Sequence, residues 1–215
     1  MSEYAPLSDI RVLDLSDIQG AYGSKVLGDL GADVVKIEPL SGDSARKAGP
    51  FAGDVPGPET SLTFAYYNAN KRGITLDLWA SRGKKIFLEM IKGFDVLVES
   101  FGPGVMEELG LGYSKLKSIN KSIVMTSITP FGQDGPHRDR KGTELTLLAA
   151  GGITYMCGEP ESDPCTAPNY KAYDLASTWA ASGILISLHH RQGTGEGQFQ
   201  DISILESVAS TSDWV

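Results

Sequence analysis

Two polar residues stand at positions where their side chains could do chemistry. Gln19 lies in the turn after an apolar segment, RVLDLS, where its amide could donate a hydrogen bond to a developing oxyanion. Asp174 directly precedes an apolar run, LASTWAASGILISL, that predicts a helix, and the positive end of that helix would help to keep the carboxylate ionised. Spacing alone favours Asp174 as the helix N-cap, and it describes Gln19 equally well as a solvated turn residue.

Two short basic clusters could bind an anion, because ammonium and guanidinium groups make charge-assisted hydrogen bonds to phosphate. They are Asn70, Lys71 and Arg72, directly before a predicted strand, and Arg138, Arg140 and Lys141 in the segment HRDRKGTELT. A Lys-Arg pair that leads into a strand is more often a solvated sheet edge. The local sequence therefore leaves the role of the first cluster open.

The composition limits the classes of function. The chain has 215 residues, 41% hydrophobic and 21% charged, which is typical of a soluble globular protein. Its formal charge of -8 argues against charge-driven binding of nucleic acid. The N-terminal segment MSEYAPLSDI lacks the features of a signal peptide, and no apolar run is long enough to span a bilayer. We therefore expect a cytoplasmic protein without a nucleic-acid or membrane partner.

Cysteine usage predicts neither a metal site nor a disulfide framework. Cys157 and Cys165 do not form a C-x-x-C motif. A chain without a secretion signal is expected in a reducing compartment, where free thiols are usual.

The elements that must position these residues alternate along the chain. Apolar strands are predicted at 11–16, 33–39, 74–79, 95–100, 121–132 and 199–203. Helices are predicted after the first strand and at 81–94, 144–156 and 174–192, and the helical segment 104–120 is predicted to be broken by Gly110 and Gly112. Ser81 is a candidate N-cap, and 41–61 reads as a long surface loop. Ile86 and Ile91 are predicted on the apolar face of that helix. The alternation predicts an α/β fold with a Rossmann-like, mainly parallel sheet and helices on both faces.

The first strand, turn, helix and second strand have the order of a nucleotide-binding unit. Its glycines are Gly20, Gly23 and Gly28, which do not match the dinucleotide fingerprint G-x-G-x-x-G. The sequence therefore does not support a dinucleotide oxidoreductase, and it leaves open which ligand the turn serves.

Seven ordered segments together resemble the class III (CaiB/BaiF-type) coenzyme A transferases, the family of formyl-CoA transferase and carnitine CoA-transferase. They are VLDLS with Gln19-Gly20, LGDLGADVVKIEP, NANKRGITLDL, DVLVESFGPGVMEELGLGY, SITPFGQDGP, KAYDLAS and GTGEGQFQDISILE. The resemblance implies that the first turn serves coenzyme A, and that residues 1–215 form the CoA-binding, Rossmann-like large domain. Its implied substrates are an acyl-CoA and a small carboxylic acid.

The resemblance also implies roles for single residues. In this family an aspartate attacks the acyl-CoA thioester and becomes an aspartyl-CoA thioester, and that aspartate corresponds to Asp174. Gln19 lies near the nucleophile, and Glu144 is an acid that orients or polarises groups around the thioester. The implied CoA-binding residues are Gln19, Gly20, Asn70, Lys71, Arg72, Ser100, Phe101 and Lys141.

Some positions depart from the family pattern. Pro39 and Glu108 stand where an arginine is expected, and Ser100 stands where asparagine is usual, so weaker CoA contacts are expected there. Racemases of acyl-CoA esters share the fold, but they pair the aspartate with a histidine whose position corresponds to Thr143. Threonine cannot act as that base, which disfavours racemisation.

The chain is shorter than the family's chains, which add a small second domain and a C-terminal return to the first. The sequence stops at Asp213-Trp214-Val215, within what reads as continuing structure. We expect a fragment, or a natural half that another chain completes, and a homodimer in the full-length form. A non-catalytic CoA-binding half or subunit is therefore a further alternative.

Overall fold

A computed structural model describes residues 5–211, so the segment Asp213 to Val215 lies outside the described residues. Within the described part, six strands form one sheet with the order β3-β2-β1-β4-β5-β6, and every neighbouring pair is parallel. The strands are β1 (Arg11–Leu15), β2 (Asp33–Glu38), β3 (Lys71–Thr75), β4 (Val96–Glu99), β5 (Val124–Thr129) and β6 (Phe199–Ser203). The helices are α1 (Ala21–Asp29), α2 (Leu62–Tyr67), α3 (Ser81–Ile91), α4 (Val105–Glu108), α5 (Tyr113–Ile119), α6 (Glu144–Ala150), α7 (Ile153–Met156), α8 (Lys171–Thr194) and α9 (Ile204–Ala209). The predicted α/β fold with a parallel sheet is confirmed.

Helices cover both faces of the sheet, because the strand side chains alternate between two apolar cores. Val12 and Val96 pack on one face with α1, α6, α8 and α9. Leu13 and Leu97 pack on the other face with α3, α4 and α5. Strands buried on both faces explain the nearly continuous Val, Ile and Leu runs in the sequence.

The third strand corrects the sequence prediction of 74–79. β3 pairs with β2 only as far as Thr75, which lies opposite Glu38. Beyond it, Leu78 packs into the core beneath α3, and Asp77 Oδ1 accepts the N–H of Trp79 at 2.9 Å in a turn. The alternation in ITLDLW therefore reflects the burial of Leu78 rather than a continuing strand.

The start of α3 also differs from the prediction. The N-cap position is Ala80, and Ser81 is the first helical residue. Asp77 Oδ1 accepts the Ala80 N–H at 3.3 Å, so a residue of the preceding turn takes part of the capping role. Ile91 is fully buried on the predicted apolar face, whereas Ile86 is exposed.

Glycines set the ends of several helices. The predicted break in 104–120 is confirmed, because α4 and α5 lie on either side of Gly110, which has φ 73°, and Gly112 is the N-cap residue of α5. The predicted helix 144–156 is divided into α6 and α7 at Gly152, which has φ 92°. α8 continues past its predicted end to Thr194 and stops at Gly195, with φ 72°. These left-handed conformations favour glycine, so each division is encoded locally.

The predicted loop 41–61 is held by local bonds. It contains two short 3₁₀ turns, Ser44–Lys47 and Ala52–Asp54. Arg46 donates to both carboxylate oxygens of Glu38, at 2.6 and 2.7 Å, and so ties the loop to the end of β2. Ser61 Oγ donates to the carbonyl of Ala45 at 2.8 Å, which brings the far end of the loop back to the same place.

A buried charge cluster joins β1 to its neighbours. Asp14 in β1 is fully buried, and its Oδ2 accepts from Lys71 Nζ at 2.8 Å and from Ser24 Oγ at 2.6 Å. Lys36 in β2 is also buried and pairs with Asp43 at 2.7 Å. Burial acts to raise the pKa of Asp14, but the charges of Lys36 and Lys71 and the hydrogen bonds outweigh it and hold that pKa well below its ordinary value.

Asp14→Asn is expected to lower the free energy of unfolding at pH 7 by about 3–5 kcal/mol, because it leaves Lys71 buried without its carboxylate partner. The folded pKa of Asp14 is depressed, so its stabilisation is present above an ordinary aspartate pKa and is lost as pH falls. The deficit should therefore shrink in urea unfolding below about pH 4. Asp9→Asn, at an exposed position, should change stability by less than about 0.5 kcal/mol. Equal losses in the two variants would contradict this role.

Glu99, the last residue of β4, is a second buried acid, 1% exposed. Its Oε2 accepts the N–H of Phe101 at 2.7 Å, and the hydroxyl of Ser127 also bonds to it. Burial raises the pKa of Glu99 to about 7, and the charges of Glu107 and Asp201 act in the same direction. The carboxyl group therefore anchors the backbone that leaves β4.

Glu99→Gln is expected to stabilise the protein at pH 8 by about 2–3 kcal/mol and to change little at pH 4. The folded pKa lies above the ordinary 4.5, so wild-type stability falls as pH rises from that value through about 7, whereas glutamine has no proton to lose. Urea unfolding across this range measures the difference. Glu161→Gln, at an exposed position, should keep the wild-type slope, and a Glu99→Gln curve parallel to wild type would contradict a buried neutral carboxyl group.

Candidate active site

The sheet order reverses between β1 and β4, and ligands of open parallel sheets bind in the crevice at such a point. The turn after β1 carries Gln19, and the turn after β4 carries Ser100 and Phe101. Two cavities of about 380 and 500 Å³ occupy this edge, and both are lined by Ser100 and Phe101. We call these two cavities together the cleft.

The 380 Å³ cavity has an aromatic rim. Trp79 and Phe101 both line it, and their rings meet edge to face with centroids 6.0 Å apart. Trp79 is 63% exposed, so its ring is available to a ligand. Pro39 lies in the same wall. The sequence pattern places Trp79 in a strand and carries no signal that it is a site residue.

The 500 Å³ cavity contains the second basic cluster. Gln19 and Thr143 line it together with Arg138, Arg140 and Lys141. The acidic residue among them, Asp139, pairs with Arg138 at 3.3 Å. Three cations against one carboxylate give this wall a net positive charge, which suits an anionic ligand.

Asp17 joins the two turns that form the cleft. Its N–H donates to Ser100 Oγ at 2.8 Å, and its Oδ1 accepts from Ser100 Oγ and from the Gln19 N–H, each at 2.9 Å. Ser100 therefore holds Gln19 in place across the cleft. Gly20 is required for close packing, because a Cβ there would lie 2.8 Å from the Cβ of Ser16.

Asp174 lies in the first turn of α8. The helix begins at Lys171, with Tyr170 at the N-cap position, which corrects the prediction that Asp174 directly precedes the helix as its cap. The Asp174 N–H already bonds the Tyr170 carbonyl at 2.8 Å. Its carboxylate is 22% exposed; Oδ1 accepts from Tyr67 Oη at 2.9 Å, and Lys171 Nζ lies 3.7 Å from Oδ2. The carboxylate is therefore not used to cap the helix.

Burial raises the pKa of both Tyr67 and Asp174, but the neighbouring charges act differently on the two groups. Burial raises the pKa of Asp174, while the hydrogen bond from Tyr67 and the charge of Lys171 counteract part of the shift. Burial and the Asp174 charge raise the pKa of Tyr67, so its hydroxyl stays a donor. Neither Tyr67 nor Lys171 is predicted from the sequence as a site residue. Tyr67 meets Asp174 only through tertiary structure, and Lys171 meets it because α8 begins earlier than predicted.

Glu144 provides the cap that Asp174 does not. Its Oε1 accepts the N–H of Ala172, in the first turn of α8, at 2.8 Å. Burial raises the pKa of Glu144, and amide N–H groups of that turn counteract part of the shift. Thr143 in turn caps α6 through a reciprocal bond with Thr146, which fixes the first helical residue, Glu144. Thr143 thus has a structural role.

α1 and α8 bring the first turn and Asp174 to the same region. Ser177, one turn after Asp174, donates to the Gln19 carbonyl at 3.3 Å. A Cβ at Gly23 would lie 3.0 Å from the Ser177 carbonyl oxygen, so glycine permits this close helix contact. Two acceptors nearby, Gln19 Oε1 and Glu144 Oε2, are buried without a hydrogen-bond partner among residues 5–211. Each of these atoms can accept a hydrogen bond from water or from a polar ligand group.

The first basic cluster does not line the cleft, and its three residues are held by carboxylates, so their contact with CoA stays a prediction. Lys71 has a 1% exposed side chain whose ammonium bonds Asp14 in the charge cluster. Arg72 pairs with Asp33 at 2.7 and 2.9 Å, and Asn70 donates to Asp29 at 2.8 Å. These partners hold the residues at the amino end of β3.

Glu108 lies on the exposed side of α4 and lines neither cavity of the cleft. Among the described residues, no group of three or more His, Cys, Asp or Glu side chains could hold a metal ion. Across the same part of the chain, none of the helices has the length and apolar character that a membrane span requires.

Solved structures share this fold. A CAIB/BAIF family protein from Brucella suis superposes with a TM-score of 0.92 and 30% identity, covering 98% of this chain and 56% of that protein. The hypothetical protein Rv3272 from Mycobacterium tuberculosis superposes with a TM-score of 0.85 and 31% identity, covering 98% and 58%.

Curated relatives are named as CoA-transferases. The chain is 40% identical to the succinyl-CoA:(R)-benzylsuccinate CoA-transferase subunit BbsE of Thauera aromatica, over 94% of this chain and 49% of the relative. It is 40% identical to the succinyl-CoA--L-malate CoA-transferase beta subunit of Chloroflexus aurantiacus, over 97% and 51%. The chain thus spans about half the length of the curated relatives it matches. A model of CoA-transferase family III matches residues 7–215, and the chain belongs to that family.

Proposed function

We propose that this chain is the CoA-binding large-domain portion of a class III CoA-transferase, and that Asp174 is its nucleophile. The observation that carries the proposal is the state of the Asp174 carboxylate. It is half-buried at the positive end of α8, it is oriented by Tyr67 and Lys171, and it is free of any capping role. An ionised, oriented carboxylate beside a nucleotide-type cleft is what acyl transfer through an aspartyl intermediate needs.

Coenzyme A would occupy the cleft. The phosphates would lie against Arg138, Arg140 and Lys141, which make charge-assisted hydrogen bonds. The apolar parts would contact Phe101 and Trp79 at the rim of the smaller cavity. Asn70, Lys71 and Arg72 take no part in this proposal, because their side chains are engaged elsewhere.

The first half of the reaction loads CoA onto Asp174. The carboxylate attacks the acyl carbonyl carbon, the C–S bond breaks, and CoA leaves as a thiolate from a mixed anhydride. The thiolate then attacks Cγ of Asp174, the donor acid leaves as a carboxylate, and an aspartyl-CoA thioester remains. Tyr67 donates to Oδ1, the oxygen that becomes negative when Cγ is attacked, and the Gln19 amide can serve the acyl oxyanion.

The second half reverses these steps with the acceptor. The acceptor carboxylate attacks Cγ of the thioester, and the thiolate leaves. That thiolate then attacks the acceptor's acyl carbon, which gives a new acyl-CoA and restores the Asp174 carboxylate. Glu144 holds the backbone of α8 throughout by its bond to Ala172, so it acts as a positioning residue.

The names of relatives support proposals about which acids are exchanged and whether a second chain takes part. Several are named for succinyl-CoA with benzylsuccinate, malate or citramalate, which supports a dicarboxylic acid as one of the acids exchanged. Alpha and beta subunits occur among them, which supports a second chain or a second copy as partner. We place the protein in the cytoplasm, with no metal cofactor.

Asp174→Asn is expected to abolish covalent loading. The protein, in the form its host produces, is incubated with succinyl-CoA and measured by intact mass and peptide mapping. Wild type should carry CoA on the Asp174 peptide, and the variant should carry none while acyl exchange falls at least about a thousandfold.

Asp163→Asn, at an exposed position, is the matched control and should load like wild type. Full exchange by Asp174→Asn would refute the nucleophile. Loss of an α-proton from a chiral acyl-CoA without any adduct would instead support the racemase alternative. CoA retained by wild type without an adduct would support a non-catalytic half.

Tyr67→Phe is expected to slow loading by about a hundredfold, because it removes the donor to the developing oxyanion. The hydrogen bond from Tyr67 lowers the pKa of Asp174, so its loss should raise that pKa and move the acidic limb of the pH–rate profile to higher pH. Loading rates between pH 4 and 8 measure both effects. Tyr155→Phe, 83% exposed on α7, should leave the profile unchanged. A slower rate with an unmoved limb would show that Tyr67 does not set the charge of Asp174.

A further inference from the structure

A separate cavity of about 270 Å³ is lined by Asp174, and none of its lining residues lines the cleft. We call it the acid pocket, formed by Leu62, Tyr66, Tyr67, Tyr170, Lys171 and Asp174. The carboxylate of Asp174 is thus approached from a pocket that the proposed CoA site does not use. Both the CoA thioester and the acceptor acid of a transferase must reach the nucleophile. The acid pocket could therefore bind one of these two ligands.

Three tyrosine rings form much of the wall of the acid pocket. Tyr66 and Tyr67 meet edge to face with centroids 5.0 Å apart, and Tyr67 meets Tyr170 at 6.0 Å. Tyr66 is 56% exposed and Leu62 48% exposed, so apolar surface faces solvent around the opening. Aromatic rings in this arrangement can contact a phenyl or alkyl group of a ligand.

Lys171 is the one cation among the described residues that line the acid pocket. Its side chain is 48% exposed, and its Nζ lies 3.7 Å from Asp174 Oδ2. While Asp174 is ionised, the two charges largely offset each other, and an incoming carboxylate gains little. Once Asp174 is a thioester, its negative charge is gone and the Lys171 ammonium has no ionic partner in the pocket.

On the basis of the proposed function, we infer that Lys171 binds the acceptor's carboxylate after Asp174 has been loaded, and that the acid pocket holds an acceptor with an aryl or alkyl body. The ammonium lies close enough to Asp174 to hold the attacking oxygen near Cγ. The acceptor then attacks from the acid pocket while the thiolate departs toward the cleft. Loading Asp174 therefore creates the anion site that the second half of the reaction needs.

Two half-reactions test this inference separately from the proposed function. Loading from succinyl-CoA is followed by intact mass at pH 8, and discharge of the loaded protein is followed with phenylacetate as acceptor. Lys171→Met should raise the KM for phenylacetate about 10- to 100-fold, and it should slow loading by a smaller factor, because in that half-reaction Lys171 only helps to orient Asp174. Lys171→Arg should restore most of the affinity. Lys85→Met, exposed on the opposite face of the sheet, is the matched control and should behave like wild type.

A binding cycle needs no turnover and decides the role of Lys171 even if loading fails. Asp174→Asn removes the same charge as loading, so it should bind phenylacetate more tightly than wild type in titration calorimetry. Adding Lys171→Met to that variant should abolish the gain, and acetate should bind more weakly than phenylacetate. An unchanged KM in Lys171→Met, or a gain that survives in the double variant, would overturn the inference. Absence of loading in wild type would refute the proposed function instead.

Discussion

The bonds of the buried Asp14 carboxylate hold together the strands and the helix that position the site. A charge in an apolar interior is costly unless it is paired, so the positions of its partners are strictly set. Lys71 reaches it from β3 and also donates to the carbonyl of Ala21, the first residue of α1, at 2.8 Å. One ammonium thus connects two strands to the start of a helix. α8 then packs on α1 where Gly23 meets Ser177, and this contact places the first turn of α8 beside the turn after β1.

Much of the fold could be predicted because its signals are local. Short Val- and Ile-rich runs separated by helical segments predict parallel strands, and glycines with positive φ mark helix ends. The sequence predictions are wrong or incomplete where contacts with residues far away in the sequence determine the structure. The role of Lys71 depends on Asp14, which is far away in the sequence, so the residues around Lys71 leave its role open. The strand ITLDLW was misplaced because Leu78 is buried by packing beneath α3 rather than by strand pairing.

Part of the site could be predicted from the sequence, because the carboxyl ends of parallel strands lie at the same edge of a sheet. Gln19 and Phe101 come from separate segments, yet both follow strands at the same edge and both line the cleft. The start of α8 was not predictable from its own residues, since its capping acceptor, Glu144, comes from another helix. Asp174 therefore looked like a cap in the sequence. Tyr67 gave no signal either, because nothing local shows that its hydroxyl faces the carboxylate.

Two acids, Asp174 and Glu144, lie at the first turn of α8, and they have different hydrogen-bond partners. Burial raises the pKa of Asp174, because removal of water destabilises the charge, yet the proposed role as nucleophile requires that Asp174 remain ionised. Tyr67 and the positive end of the helix supply the compensation. Glu144 directs Oε1 to the amide of Ala172, so part of its charge is stabilised by the backbone. The charge of Asp174 already raises the pKa of Glu144, and a closer approach of the two carboxylates would raise both pKa values further. Since Glu144 already bonds a backbone N–H, the hydroxyl of Tyr67 is left for Asp174, and this division of donors keeps a single acid available for chemistry.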